Sequence, residues 1–102
     1  MHARVWQVQI QPGQIEAFTN ALDSLLPAAR QEGGFQGLLV LRADSGTSPE
    51  ATVIGVWDSA EKIKASEKSL FLYQAIARVL SHCKGFPNIG EQEVLICDFR
   101  GR

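Results

Sequence analysis

Residues 34–57 read GFQGLLVLRADSGTSPEATVIGVW. Two apolar runs, Phe35 to Arg42 and Ala51 to Trp57, flank the polar stretch Asp44 to Glu50 with its Ser, Gly, Thr and Pro. Runs of this length, rich in β-branched residues and bounded by turn formers, predict two strands joined by a hairpin loop. Both strands read as apolar on both faces. Phe35, Leu39 and Leu41 oppose Leu38 and Val40, and Val53 and Trp57 oppose Ile54 and Val56. Helices can cover one face of such a sheet. The other face would leave an apolar patch that soluble monomers rarely expose, and a second copy of the sheet is the simplest cover. A homodimer is the expected partner state.

Upstream of the hairpin, Arg4 to Ile10 alternates, with Trp6, Val8 and Ile10 on one face and Val5, Gln7 and Gln9 on the other, which predicts a first strand. Pro12-Gly13 ends it. Ile15, Phe18, Leu22, Leu25, Leu26 and Ala29 then recur at helical spacing, and Gly33-Gly34 closes that helix. Pro27 cannot donate to the ladder, so a kink is expected there, or a break with Pro27 opening a short second helix. Downstream, Asp58-Ser59-Ala60-Glu61 has the character of a capping box starting a short helix. Ser69 is placed to re-cap a longer helix that carries Leu72, Ile76, Val79, Leu80 and Cys83 on one side. Lys84-Gly85 ends it, and Glu91 to Phe99 reads as a last strand, followed by a loose tail over Arg100 to Arg102. The order β-α-β-β-α-β is the split βαβ arrangement. The expectation is one α+β domain over residues 1–102, ferredoxin-like, with a four-stranded antiparallel sheet.

The totals exclude several function classes. One hundred and two residues suit a single core, and the 45% hydrophobic and 21% charged content is ordinary for a globular chain. A formal net charge of −1 gives no electrostatic basis for binding nucleic acid or an anionic membrane. Apolar runs such as Gly37 to Leu41 are far shorter than a bilayer span, and Met1 to Arg4 leads directly into the first strand without a signal-peptide core. A cytoplasmic location is therefore expected. Cys83, on the last helix's apolar side, and Cys97, in the last strand, have neither CxxC nor zinc spacing and are expected as free thiols packed in the core.

Four segments together resemble the antibiotic-biosynthesis monooxygenase family of dimeric α/β barrels. They are Pro12-Gly13-Gln14-Ile15-Glu16-Ala17-Phe18 at the first helix start, Gly34-Phe35-Gln36-Gly37 with Leu41, Val56-Trp57-Asp58-Ser59-Ala60-Glu61 at the junction of strand three and the next helix, and Glu93-Val94-Leu95. The resemblance implies a dimeric α/β barrel and, in each subunit, a pocket between sheet and helices. Some relatives oxygenate aromatic polyketides without metal or flavin, and others degrade haem. The haem branch uses an Asn on strand one, a Trp in helix two and a His further along that helix. An ungapped alignment on Pro12-Gly13 and Val56-Trp57 puts Trp6, Ser66 and Ile76 at those places, and the stretch Ala65-Ser66-Glu67-Lys68 lacks the family's frequent His. No haem is expected.

The same resemblance makes Trp6, Trp57, Tyr73 and Ile76 the candidate pocket residues. Core packing is the commoner role for each tryptophan, while an indole can also stack on an aromatic ligand. Tyr73 lies one helical step from Ile76, and its hydroxyl is the best-placed group for a phenolic substrate. His2 and His82 stand apart from any carboxylate cluster, so no metal site is expected. Neither a dinucleotide, Walker nor nucleophile-elbow motif occurs, nor a paired-carboxylate arrangement, and no residue is assigned catalysis. No cofactor is expected, and redox chemistry would come from the substrate itself. The leading expectation is a cofactor-independent monooxygenase acting on a small aromatic, hydroquinone- or polyketide-like substrate. The alternative is a non-catalytic domain that binds a small ligand or only dimerises, with an isomerase-type activity as a third reading.

Overall fold

The computed structural model describes residues 1–45 and 48–99. The centre of the expected hairpin loop and the tail from Arg100 lie outside the described residues. Eight elements follow in order: β1 His2–Gln9, α1 Ile15–Asp23, α2 Leu26–Gln31, β2 Phe35–Ser45, β3 Ser48–Trp57, α3 Ala60–Lys68, α4 Phe71–Leu80 and β4 Asn88–Glu93. The sheet order is β2-β3-β1-β4 with all neighbours antiparallel. The α+β, ferredoxin-like architecture is thus present, with one helical layer on one sheet face.

Sequence explains most of the helix ends. Pro27 sits in the first turn of α2, where its missing N–H costs nothing, so the chain breaks into two helices. The Ser59 hydroxyl accepts from the Lys62 N–H at 3.2 Å and caps α3, one residue later than an Asp58 cap would. Gly34 has φ +84°, and a Cβ built there would meet Lys62 Cγ at 2.6 Å, so a side chain is excluded twice over. Ser69 does not re-cap α4. It closes α3, its single O–H within hydrogen-bond reach of the Ser66 carbonyl and the Glu32 carboxylate. The turn between the two helices is made by Leu70, at φ +69° and 57% exposed. A left-handed leucine is strained by roughly 1–2 kcal/mol, and this one has little packing to lose. Leu70→Gly is expected to raise the unfolding free energy by up to about 1 kcal/mol, less the added chain entropy of glycine, as read from urea unfolding.

Three strand readings are corrected. A register irregularity between Phe35 and Gly37 inserts one residue into β2. Its effect is to turn Phe35 to the face of Leu38, away from Leu39 and Leu41, because an extra residue reverses the alternation. Strands β2 and β3 also run on to Ser45 and from Ser48, well into the expected loop. Strand β4 lies earlier than expected, at Asn88–Glu93. It pairs with β1 from Gln7↔Asn88 to His2↔Glu93, and the Val94 N–H donates to the Met1 carbonyl next to that register. Cys97 is consequently exposed outside any strand. Cys83 lies past the end of α4, buried in a bridge with Ile10, and burial pushes its thiol pKa up.

The core lies between sheet and helices. Trp6, Val8 and Ile10 from β1 and Val53 from β3 meet Phe18 and Leu22 of α1 and Leu72, Ile76 and Val79 of α4. The opposite sheet face carries Val5, Ile54 and Leu39 in one cross-strand row and Val56 in the next, with Leu41 beyond. Leu39 and Leu41 are 42% and 46% exposed, and past β4 the side chains of Leu95, Ile96 and Phe99 also face solvent. Arg42 does not share that face: it lies in the row of Ala51 and Val8, on the helix side, and pairs with Asp44 at 3.0 Å. None of the helices in the described residues is long and apolar enough to cross a membrane.

Candidate functional site

A cavity of about 60 Å³ opens inside the core between sheet and helices. Its floor is built by the ladder. Phe35 and Trp57 form one cross-strand row, Leu38, Gly55 and Arg4 the next, and Val53 and Trp6 the third. Gly55 is the gap in this floor. A Cβ there would stand 3.4 Å from Trp57 Nε1, an ordinary contact. The roof comes from the broken helix, through Leu22, Leu25, Leu26 and Ala29, and from α4 through Phe71, Leu72 and Ala75. The rings of Phe35 and Phe71 meet Trp57 edge-on, at centroid distances of 5.3 and 6.3 Å, and hold its indole in place.

One residue of this wall is charged. Arg4 is 6% exposed and donates from Nη2 to the Ile63 carbonyl at 3.0 Å, while Glu67 Oε2 stands at 4.0 Å. Burial lowers the Arg4 pKa, and the Glu67 and Glu91 carboxylates oppose that shift. Desolvating a cation in an apolar core is costly unless it is fully paired. Two residues earlier on the same strand, His2 Nδ1 is buried without a hydrogen-bond partner among the described residues.

The four candidate residues divide. Trp6, at 5% exposure, and Trp57, at 2%, are both in the cavity wall. Ile76 is buried in the adjoining core, outside the wall. Tyr73 is 61% exposed and does not reach the cavity, because the inward stripe of α4 is Leu72, Ala75, Ile76 and Val79, and Tyr73 lies about 100° round from Leu72. Ser66, in the position where the haem branch has its tryptophan, is buried with its hydroxyl donating to the Ile63 carbonyl. Arg4 was not among the candidates, although a signal was there. The alternation that aims Trp6 inward also aims Arg4 inward, and a charged residue at a core position is more informative than an apolar one.

A sheet with helices on one face and a pocket between them suits many unrelated proteins, so sequence comparison decides the family. The family model for antibiotic biosynthesis monooxygenase matches residues 1–83. The chain belongs to that family. Solved structures share the fold of this antibiotic biosynthesis monooxygenase family member. A protein of unknown function from Nitrosomonas europaea has a TM-score of 0.72 at 23% identity, over 99% of this chain and 95% of its own. A protein from Bordetella bronchiseptica that carries the same family name has a TM-score of 0.73 at 13% identity, over 93% and 97%. Rv0793 from Mycobacterium tuberculosis has a TM-score of 0.70 at 16% identity, over 98% of both chains. These likenesses establish the fold. A comparison with curated proteins found no match.

Proposed function

We propose that this family member is a homodimeric, cofactor-independent monooxygenase that oxygenates a small aromatic substrate of hydroquinone or polyketide type in the cavity between sheet and helices. The observation that carries this reading is an apolar cavity between sheet and helices floored by two indoles. An electron-rich dihydroxy aromatic reacts with oxygen once it is ionised. In that reaction a ring C–H and the two hydroxyls lose their hydrogens. One oxygen atom bonds to that ring carbon as a hydroxyl and keeps one of the three hydrogens, the other leaves as water with the remaining two, and every electron consumed comes from the ring, which ends as a hydroxyquinone. The protein's part is to hold the ring against Trp6 and Trp57, exclude water and favour the ionised form. An apolar cavity of about 150 Å³ is what benzene occupies in a known engineered case, so at about 60 Å³ this cavity takes an aromatic ring only if its walls move. Substrate entry requires the roof to yield, and the α1–α2 break around Leu25 is its least continuous part.

The dimer is supported by the outward row Val5, Ile54 and Leu39, the first two half-buried and Leu39 exposed, with Val56 and the exposed Leu41 beside it, and by the apolar segment Leu95, Ile96 and Phe99. An isologous interface built on them is expected to bury above about 1,000 Å² in total, the size of a specific interface.

The position of Tyr73 outside the cavity favours a second reading, a domain of the same fold that binds a small aromatic ligand, or only dimerises, without turnover. Oxygen uptake separates the two. With a reduced naphthohydroquinone in excess, the purified chain is expected to raise oxygen consumption above the rate of spontaneous oxidation in proportion to protein, with water as the reduced product. Binding without added oxygen uptake would establish the second reading.

A further inference from the structure

We propose that α2 is a hinged lid over this cavity, and that side-chain bonds to Ser24 and Glu32, on either side of it, are clasps that a ligand must undo to enter. The proposal rests on reading this cavity as a ligand site and adds how the site opens.

The walls of the cavity differ in how firmly they are held. Its floor belongs to the sheet, where β1 and β3 are each bonded to a strand on both sides. Among the helices, α4 buries Leu72, Ala75, Ile76 and Val79, and α1 buries Phe18 and Leu22. The six residues of α2 bury only Ala29, with Leu26 half-buried. Moving α1 or α4 outward would open the main core to water. Moving α2 would uncover little more than one methyl group and part of one leucine side chain. An element with so little buried apolar surface opens locally at low cost.

Both ends of α2 can turn. The last backbone bond into α1 runs from the Leu25 N–H to the Leu22 carbonyl at 3.0 Å, and α2 begins with the Ala29 N–H to Leu25 carbonyl bond at 2.9 Å. Pro27 has no N–H with which to bridge them. At the far end the Gly34 carbonyl accepts from the Asp58 N–H at 2.7 Å, which pins Gly34 to the start of α3. Gly33, just before it, has φ +76°, and a Cβ built there would meet nothing within 4 Å. It is a free pivot beside a fixed point.

Two side-chain bonds close this span. Arg78 Nη1, in the last turn of α4, donates to Ser24 Oγ at 3.2 Å, and the Ser69 hydroxyl, just ahead of α4, lies against the Glu32 carboxylate. Both bonds are exposed, so water can replace them and each is weak. An aromatic ring needs more room than this cavity of about 60 Å³ has. Entry through the least anchored wall displaces α2 and loosens the clasps, so the clasps oppose binding.

Hydrogen exchange and ligand kinetics on the full chain test this. In the wild type the amides of Ala28 to Glu32 should exchange at least about a hundredfold faster than those of Ala75 to Val79, through a local opening that low urea does not accelerate. Arg78→Ala combined with Glu32→Ala removes one partner of each clasp, and neither residue lines the cavity. This double variant should bind a hydroxylated naphthoquinone at least about threefold more tightly by tryptophan quenching, the scale of two exposed hydrogen bonds, with the gain in the association rate. A merely structural role for the two residues would leave affinity unchanged or lower it. Amides in α2 as well protected as those of α4 would overturn the lid, whatever the ligand result, and this arm decides if the double variant does not fold. Quenching in the wild type without tighter binding by the folded variant would overturn the clasps while leaving the ligand site standing. A wild type that shows no quenching would remove the ligand-site reading, and the role of α2 as its gate with it.

Discussion

Trp6→Ala is expected to lower the unfolding free energy by roughly 3–5 kcal/mol, the range for truncating a large buried aromatic. Trp6 is 5% exposed, belongs to the main core, and lies between Val53 on one neighbouring strand and Ile89 on the other. Two effects compete over the size of the loss. Removing the indole forfeits its burial and merges the vacated space with the existing cavity. Yet one side of the ring already faces that cavity, where about 60 Å³ of space provides no contacts to lose. Since so little of the ring is exposed, burial dominates and the loss should stay inside the stated range. Urea unfolding of both proteins measures it. A loss under about 1 kcal/mol would show that the indole is loosely packed, as in a pocket that is open most of the time. A titration with a hydroxylated naphthoquinone belongs beside it. The wild type should show quenched indole fluorescence, and Trp6→Ala should bind more weakly despite its larger void, because the stacking surface is gone. A large stability loss with no ligand signal from the wild type would rule out the monooxygenase reading of this cavity.

Ile54→Asp should leave the fold of one subunit largely intact and weaken the dimer roughly a thousandfold. Ile54 lies at the centre of the outward row Leu39–Ile54–Val5, and within a single subunit it is only half-buried. In a monomer the carboxylate would sit in water. Across two apposed sheets it would be buried without a partner, a cost of several kcal/mol, and each 1.4 kcal/mol is tenfold in the dissociation constant. Light scattering at micromolar concentration should therefore give twice the chain mass for the wild type and one chain mass for the variant, with matching far-ultraviolet dichroism. A wild type that scatters as a monomer, or an Ile54→Asp protein that stays dimeric, would refute the sheet-face interface.

The sequence by itself determined the order of elements, an interruption of the helix at Pro27 (kink or break), the face of β1 that carries Trp6, and the apolar second face of the sheet. Each is set by local chemistry or by a period of two or about 3.6 residues, which survives whatever the rest of the chain does. The family was also legible, since its motifs lie at turns and element ends where backbone geometry restricts the residue type. Tertiary structure alone decided the features that depend on where one element stops against another. The extra residue between Phe35 and Gly37 turned Phe35 toward Trp57, which no count along β2 reveals because a bulge is specified jointly with the facing strand. β4 lies at Asn88–Glu93 because its extent is set by its register against β1, which pairs His2 to Gln7 with it. Tyr73 went outward because α4 presents four other residues to the core. The cavity floor brings Gly55 across from Arg4, a pairing set by register between strands some fifty residues apart in sequence. Volume and charge in a core are sums over several elements, and the physics that fixes them is packing rather than pattern.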